Sequence, residues 1–151
     1  MYDLMIIGSG PAGISAALTA KARNLNFIWF GSRALSTKIE KAEKIMNYPG
    51  LPAVTGSEMQ SVFLKQIDDC GITITESQVN SIYDCGGYFA AGADNEIYEA
   101  KAVIMTVGMT TTREIEGEAR LLGCGVSYCA TCDGALYKLS LIHISEPTRL
   151  Q

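Results

Sequence analysis

The feature that most constrains the fold is a glycine-rich turn near the start of the chain, placed between a strand pattern and a helix pattern. It follows the apolar segment 2–7, opens the alanine-rich segment 12–23, and consists of Gly8, Ser9, Gly10, Pro11, Ala12 and Gly13. In such a turn the first glycine allows a tight bend, the second admits a diphosphate, and the third lets helix and strand pack closely. Because free N–H groups at the helix start would face the phosphates, these six residues predict a dinucleotide site.

The segment after this helix supplies the second strand of a βαβ unit. Residues 26–30 form an apolar run typical of a parallel strand buried on both faces. Dinucleotide sites commonly place a carboxylate at the end of this strand, where it binds ribose hydroxyls. Here Gly31, Ser32 and Arg33 stand in that place. We therefore expect backbone groups or Ser32 to hold the ribose, and the glycine turn alone leaves FAD and a nicotinamide cofactor open.

The remaining pattern predicts one amphipathic helix and a group of short strands. The polar segment 32–44 and the turn-rich loop 47–52 form a long connection. A helix is then capped by Thr55 or Ser57 and ends near Cys70. Antiparallel meander strands follow at 72–76, 79–85, 88–91 and 97–100, and a further buried strand at 101–107 ends at Gly108.

Two cysteines separated by two residues predict redox chemistry. Cys129 and Cys132 can close a small disulfide ring, and a helix start lowers a thiol pKa toward the range in which the reactive thiolate forms. Asp133 directly follows the second cysteine, which suits a proton donor to the thiolate released when the disulfide is reduced. These three residues are the candidate catalytic group.

The alternative for the same pair is half of a structural zinc site. Zinc takes Cys-x-x-Cys, but a structural site needs four ligands, and a second close pair is missing from the sequence. The remaining candidates are scattered and would have to converge: Cys70, Cys85, Cys124 and His143. We expect these isolated cysteines to be small core residues, and we predict no metal site.

Composition excludes several classes of protein. A net charge of −4 with interspersed acids and bases provides no basic surface for nucleic acid. The apolar runs are far shorter than the roughly 20 residues that cross a bilayer, so no membrane partner is expected. The first four residues carry an acid, Asp3, instead of the basic start of a secretory signal, and run straight into a strand. These features predict a cytoplasmic protein.

Taken together, the motifs are similar in order and spacing to the bacterial thioredoxin reductase family. The resemblance rests on the glycine turn, the loop from Asn47 to Gly50, the strand ending at Gly108 and the segment 129–134, and it covers about residues 1–138. It implies an α/β fold: a Rossmann-like FAD-binding domain with a parallel sheet, helices and a β-meander beside it. It further implies that Asn47 lies near the flavin and that reduced FAD passes electrons to a Cys129–Cys132 disulfide, with Asp133 as acid.

The resemblance also implies partners and a domain layout. Electrons would pass on to a thioredoxin-like protein, NADPH would be the donor, and the full-length protein would be a homodimer. Residues 1–112 would form the N-terminal part of the FAD domain, and residues 113–138 the start of an inserted NAD(P)H-type domain. The chain would later return to complete the FAD domain.

Some positions depart from the family pattern. Residues 34–38 replace the usual Gly-Gly-Gln stretch, and Thr106-Val107-Gly108 replaces Ala-Thr-Gly, which removes one hydroxyl near the cofactor. Residues 35–47 look similar instead to a clostridial subgroup that takes electrons from ferredoxin, so the donor stays open between NADPH and ferredoxin.

The end of the chain departs most, and residues 139–151, including His143, look like translated adapter sequence. We therefore expect a fragment truncated before the sheet is complete, with weak or no FAD binding and no turnover. Two other functions stay open: the flavoprotein partner of a peroxiredoxin, which usually has an extra N-terminal domain, and a non-catalytic, zinc-stabilised nucleotide-binding module.

Overall fold

The computed structural model describes residues 1–108, 116–121 and 126. These residues fall into two compact units, one made of residues 1–44 and 54–108 and the other of residues 45–53, 116–121 and 126. The first unit contains the sheet and three helices, of which the first packs against the sheet. The second contains the loop around Asn47 and a short helix, which we number α4 below.

The βαβ unit predicted from the glycine turn is confirmed. Strand β1 spans Tyr2–Ile7, helix α1 spans Pro11–Ala22 and strand β2 spans Phe27–Phe30. The two strands pair in parallel, with Leu4 opposite Phe27 and Ile7 opposite Phe30. Helix α1 packs on one face of these strands, and Met5 and Ile6, which point to opposite faces, have no exposed surface. Burial on both faces explains why the two strands are apolar throughout.

A polar connection then contains two helices, of which the sequence predicted one. Helix α2 is a short piece at Thr37–Glu40, inside the segment expected to be a loop, and Ser36 caps it by accepting from the N–H of Ile39. Helix α3 spans Gly56–Asp69 and is capped by Thr55. Of the two predicted caps, Thr55 is therefore the correct one.

Three further strands complete one mixed sheet. Strand β3 spans Val79–Asp84, β4 spans Phe89–Ala93 and β5 spans Glu96–Met105. The strand order is β2-β1-β5-β4-β3. Strand β1 pairs in parallel with both β2 and β5, whereas β4 pairs antiparallel with both β3 and β5. The meander is thus continuous with the parallel sheet rather than packed beside it.

The continuity comes from β5, which replaces two predicted strands. Its first half pairs antiparallel with β4 as far as Ala100, and its second half pairs in parallel with β1 from Ala102 to Met105. No glycine, proline or other turn residue separates the two predicted strands at Ala100 and Lys101, so the backbone continues without a break.

The prediction that the strand at 101–107 is buried was wrong. Met105 and Val107 are 62% and 60% exposed, although the apolar run resembles that of β1. Among the described residues only β1 pairs with this half of β5. An apolar pattern predicts a strand, but whether its side chains are buried depends on which other elements pack over them.

Two smaller expectations were also wrong. Residues 72–76 form no strand, and only Thr75 bridges to Phe30, because this segment meets the end of β2 at a single point. Cys70 and Cys85 are exposed rather than core residues, because each lies at the end of an element: Cys70 is the C-cap of α3, and Cys85 follows β3 at a hairpin turn.

Helix α4 spans Glu118–Leu121 and belongs to the second unit. In the same unit, Leu51 donates its N–H to the Tyr48 carbonyl, and Gly50 has a φ of +83°. Proline followed by such a glycine is the arrangement of a type II turn, so the predicted turn-rich loop is confirmed. None of the helices in the described ranges is long and apolar enough to cross a membrane.

The α3 cap generates a first prediction. The Thr55 hydroxyl accepts from the N–H of Glu58 at 3.3 Å, and the Glu58 carboxylate accepts from the N–H of Thr55 at 2.8 Å. These bonds from Thr55 hold the pKa of the Glu58 carboxyl below its ordinary value. We expect Thr55→Ala to lower the free energy of unfolding by about 1 kcal/mol, measured by urea titration, because the first turn loses its acceptor.

Thr37→Ala is the matched control for this measurement. Thr37 opens the short helix α2, and its hydroxyl has no partner in the described part of the chain. The same chemical change there should leave the unfolding free energy almost unchanged. Equal losses in both variants would contradict a specific role for the Thr55 cap.

Candidate nucleotide site

The candidate site lies at the carboxyl edge of the three parallel strands. Gly8 follows β1, Gly31 follows β2, and Thr106 follows β5, so three loops meet at one edge. The chain leaves β1 toward β2 on one side, while β5 lies on the other side of β1. Such a switch in strand order is where open α/β sheets bind ligands.

The peptide of Gly8 is held from three directions. Its N–H donates to the Phe30 carbonyl at 2.8 Å, and its carbonyl accepts from Trp29 Nε1 at 2.9 Å and from Thr106 Oγ1 at 3.0 Å. Gly8 has a φ of +113°, and a Cβ built there would lie 2.4 Å from the Thr106 carbonyl oxygen. Both the conformation and the space require glycine, and the bonds fix the direction of the turn.

Gly13 is required for a different reason. A Cβ on Gly13 would lie 1.9 Å from the carbonyl oxygen of Gly8. The first turn of α1 therefore packs directly against the end of β1, as the sequence motif predicts for its third glycine.

The fold itself does not require a glycine at position 10. A Cβ built there would meet nothing within 4 Å, and its φ of −72° and ψ of 179° suit any residue. Gly10 is the N-cap of α1, where it provides no side-chain bond, and the first turn of the helix has no acidic residue. The first N–H groups of a helix lack partners within it, so this open position fits the close approach of an anionic diphosphate.

Ser9 joins the glycine turn to the loop after β2. It is 8% exposed, and its hydroxyl donates to the Leu35 carbonyl at 3.2 Å and accepts from the N–H of Ser32 at 3.0 Å. The approach is close, because a Cβ on Gly31 would lie 2.5 Å from the Cβ of Ser9. The structure therefore brings Ser9, Gly31 and Ser32 together, with the Ser9 hydroxyl used inside the protein.

Gly108 also lies beyond the end of β5, in the first unit, and has a φ of +67°. Asn47 lies in the second unit on the exposed loop before the Pro49-Gly50 turn. Its predicted place beside a flavin stays a prediction.

The predicted redox group lies outside the described residues. This holds for Cys129, Cys132 and Asp133, and also for Cys124, His143 and the tail 139–151. Within the described residues, no three His, Cys, Asp or Glu side chains gather into a group able to hold a metal ion.

Trp29 and Thr106 were not predicted as site residues. Trp29 was grouped with the apolar strand, and Thr106 was considered only as a departure from a family pattern. A tryptophan inside an apolar strand does carry a signal, since a buried indole N–H usually needs an acceptor. The sequence does not show that the acceptor is the Gly8 carbonyl.

The fold is that of the Rossmann-like nucleotide-binding proteins, and the chain belongs to the pyridine nucleotide-disulphide oxidoreductase family, whose model matches residues 2–144. Thioredoxin reductase of Bacillus subtilis is 32% identical over 139 residues, which cover 91% of this chain and 44% of that relative. The resemblance to thioredoxin reductases and the Rossmann-like fold are confirmed.

Solved structures give the same family. A ferredoxin-flavin thioredoxin reductase from Clostridium acetobutylicum is 48% identical, has a TM-score of 0.72, and is matched over 90% of this chain and 47% of that one. Thioredoxin reductase from Streptococcus pyogenes is 35% identical with a TM-score of 0.76, over 90% of this chain and 45% of that one. The chain spans about half the length of the curated relatives that it matches.

The three bonds to the Gly8 peptide generate a second prediction. Thr106→Val keeps the shape of the side chain and removes the hydroxyl that donates to the carbonyls of Ile7 and Gly8. We expect the free energy of unfolding to fall by about 1 kcal/mol in urea titrations.

Thr106→Ser is the control, because it keeps the hydroxyl and removes only a methyl group. A serine variant as unstable as the valine variant would show that packing, and not the hydrogen bond, stabilises the turn.

Proposed function

We propose that this chain carries the nucleotide-binding half of an FAD-dependent thioredoxin-disulfide reductase. The observation that carries the proposal is the contrast among the glycines of the first turn. Protein contacts explain Gly8 and Gly13, whereas Gly10 faces open space at an uncapped helix start. A ligand with closely approaching phosphates accounts for the glycine that the fold itself does not need.

The identity of the ligand is supported by the relatives. Those named above are thioredoxin reductases, and one is named as a ferredoxin-flavin enzyme. FAD would place its diphosphate at Gly10, Pro11 and Ala12 and its ribose at the Gly31-Ser32 loop. Bound flavin supplies a two-electron reduction.

The proposed chemistry of the chain belongs to its cysteine pair. The Cys129–Cys132 disulfide takes up two electrons and its S–S bond breaks; Asp133 donates a proton to one of the two thiolates, and the other stays charged. That thiolate attacks the disulfide of a thioredoxin-like protein, which forms a mixed disulfide and releases one thioredoxin thiolate. The remaining thiol returns its proton to Asp133 and attacks the mixed disulfide, so the Cys129–Cys132 bond forms again, the second thioredoxin thiolate leaves, and the two thioredoxin thiolates take their protons from solvent.

For the donor we favour ferredoxin over NADPH. The clostridial ferredoxin-flavin enzyme is 48% identical, against 35% for the streptococcal enzyme and 32% for that of B. subtilis, and residues 35–47 also look similar to that subgroup. Turnover of the complete protein with reduced ferredoxin but not with NADPH would support this choice, and the reverse would contradict it. A homodimer stays the prediction of the family resemblance, and a cytoplasmic location stays the prediction of the sequence composition.

The open glycine generates a third prediction. Serine is a better helix N-cap than glycine, so Gly10→Ser should leave the unfolding free energy unchanged or slightly raised. The same change places a side chain where phosphates approach, so ADP affinity should fall at least about tenfold, a loss of about 1.4 kcal/mol. Trp29 is the single tryptophan and donates to the Gly8 carbonyl, so its fluorescence should change when ADP binds at this turn and can measure the affinity.

Gly13→Ala provides the contrast, because its Cβ would collide with the Gly8 carbonyl and should unfold the chain. ADP binding by Gly10→Ser with the affinity of the unsubstituted chain would remove the main support for the proposal.

The cysteine pair generates a fourth prediction. The chain has five cysteines, and oxidation followed by thiol counting in denaturant should reversibly remove two thiols. Cys129→Ser should abolish that loss. The exposed Cys85→Ser should keep it.

The zinc-stabilised module predicts another result. In that case the two thiols would be blocked by bound metal, which metal analysis would detect and acidification would release. Metal at one equivalent, with no reversible thiol pair, would overturn the reductase proposal.

A further inference from the structure

We infer that the free edge of β5, the side of residues 102–107 that faces away from β1, pairs antiparallel with the same edge of a second copy of this chain. The inference depends on the geometry of the sheet alone, so it is independent of the cofactor and of the proposed reaction.

The free edge begins where β4 ends. Strand β4 pairs with β5 only as far as Ala100, whereas β1 pairs with β5 up to Met105. Thr106 then donates its N–H to the Ile7 carbonyl at 2.7 Å. Because successive peptide groups of a strand point to opposite sides, Val103 and Met105 direct their N–H and C=O groups away from β1. No strand in the described part of the chain pairs with them on that side.

The two outer strands of the sheet, β2 and β3, are protected on their open sides. Beside β2, Thr75 donates its N–H to the Trp29 carbonyl at 2.7 Å, and its carbonyl accepts from the N–H of Gly31 at 3.1 Å. On β3 the register shifts between Val79 and Ser81. Such an irregularity twists an edge away from a second strand, so neither outer strand offers a regular edge for pairing.

The free edge of β5 has none of these protections. Residues 102–107 contain no charged residue and no proline, which are common means of blocking an edge. The nearest charge, Lys101, donates to the Asp3 carboxylate at 2.7 Å and is therefore held beside β1. Met105 and Val107 are exposed. Pairing at this edge would satisfy backbone groups and cover apolar surface at the same time.

A second copy supplies a partner with the same spacing. Val103 and Val107 lie two positions on either side of Met105, so a two-fold axis at Met105 places Val103 of each copy opposite Val107 of the other. In this register the outward N–H and C=O groups of the two strands meet, and β-branched side chains face each other, which favours pairing. Because residues 102–107 carry no charge, the two copies do not repel each other.

The pairing closes at two chains. The described part of each copy has one free edge, and an interface in which the same surface meets itself across a two-fold axis leaves no edge for a third copy. So short an edge buries less than a standard interface of about 1,200–2,000 Å². We therefore expect a reversible dimer that forms at micromolar concentrations.

The test measures the mass of the chain by sedimentation equilibrium over a series of micromolar concentrations. The mass should rise from that of one chain to that of two and stop there. Met105→Lys places like charges against each other on the two-fold axis, and we expect it to raise the dissociation constant at least about tenfold. Met105 is 62% exposed in the single chain, so the fold should tolerate the lysine, which circular dichroism verifies.

Ile97→Lys is the matched control. It replaces an apolar residue by lysine on the same strand, at a side chain that is 76% exposed. Ile97 lies opposite Gly92, in the half of β5 whose edge β4 already fills. The dissociation constant of this variant should stay within about twofold of that of the unsubstituted chain.

A mixture of the Met105→Lys and Met105→Glu chains tests the register. Each variant alone places like charges across the axis, whereas a mixed pair places opposite charges there. The mixture should therefore associate at least about tenfold more tightly than either variant alone.

Four results would overturn the inference. They are a chain that stays monomeric at every concentration, growth beyond two copies, equal weakening by Met105→Lys and Ile97→Lys, and a mixture that associates no more tightly than its components. None of them bears on the dinucleotide site, which the ADP titrations test separately.

Discussion

The fold around the candidate site depends on the peptide between Gly8 and Ser9. Its carbonyl accepts from Trp29 on β2 and from Thr106 beyond β5, so one oxygen joins the ends of three strands. Gly13 packs against the same oxygen. Any side chain at Gly8 or Gly13 would push these elements apart, which is why the two glycines belong to the architecture and not only to ligand binding.

The elements that meet at this carbonyl could be predicted from the sequence because each has a local pattern. A strand, a glycine turn and a helix are local patterns, and each local choice agreed with the fold. The cap of α3 was predicted only as Thr55 or Ser57, and the capping box that Glu58 forms with Thr55 identifies the correct one. The position of the site at the strand ends then followed from the parallel arrangement alone.

The remainder depends on contacts between distant residues. Trp29 and Gly8 are 21 positions apart, and Thr106 and Gly8 are 98 apart. No local sequence pattern predicts a hydrogen bond between residues so far apart in the chain. The exposure of Met105 has the same origin, because an apolar run specifies a strand while burial depends on which elements lie over it. Cys70 and Cys85 were misassigned by residue type, which is a weaker guide than their place at the ends of elements.

The two ends of the candidate site also differ in charge, and this difference can orient a ligand. At α1 the helix start is positive, has no acid in its first turn, and meets open space at Gly10. In the loop after β2, Arg33 is the only cation among residues 31–36; it pairs with Asp68, and its backbone N–H donates to Glu76. A dinucleotide would have the complementary pattern, with charge on its diphosphate and none on an unmodified ribose. A reversed ligand would place phosphates against carboxylates, so this charge pattern would favour one orientation of a bound dinucleotide.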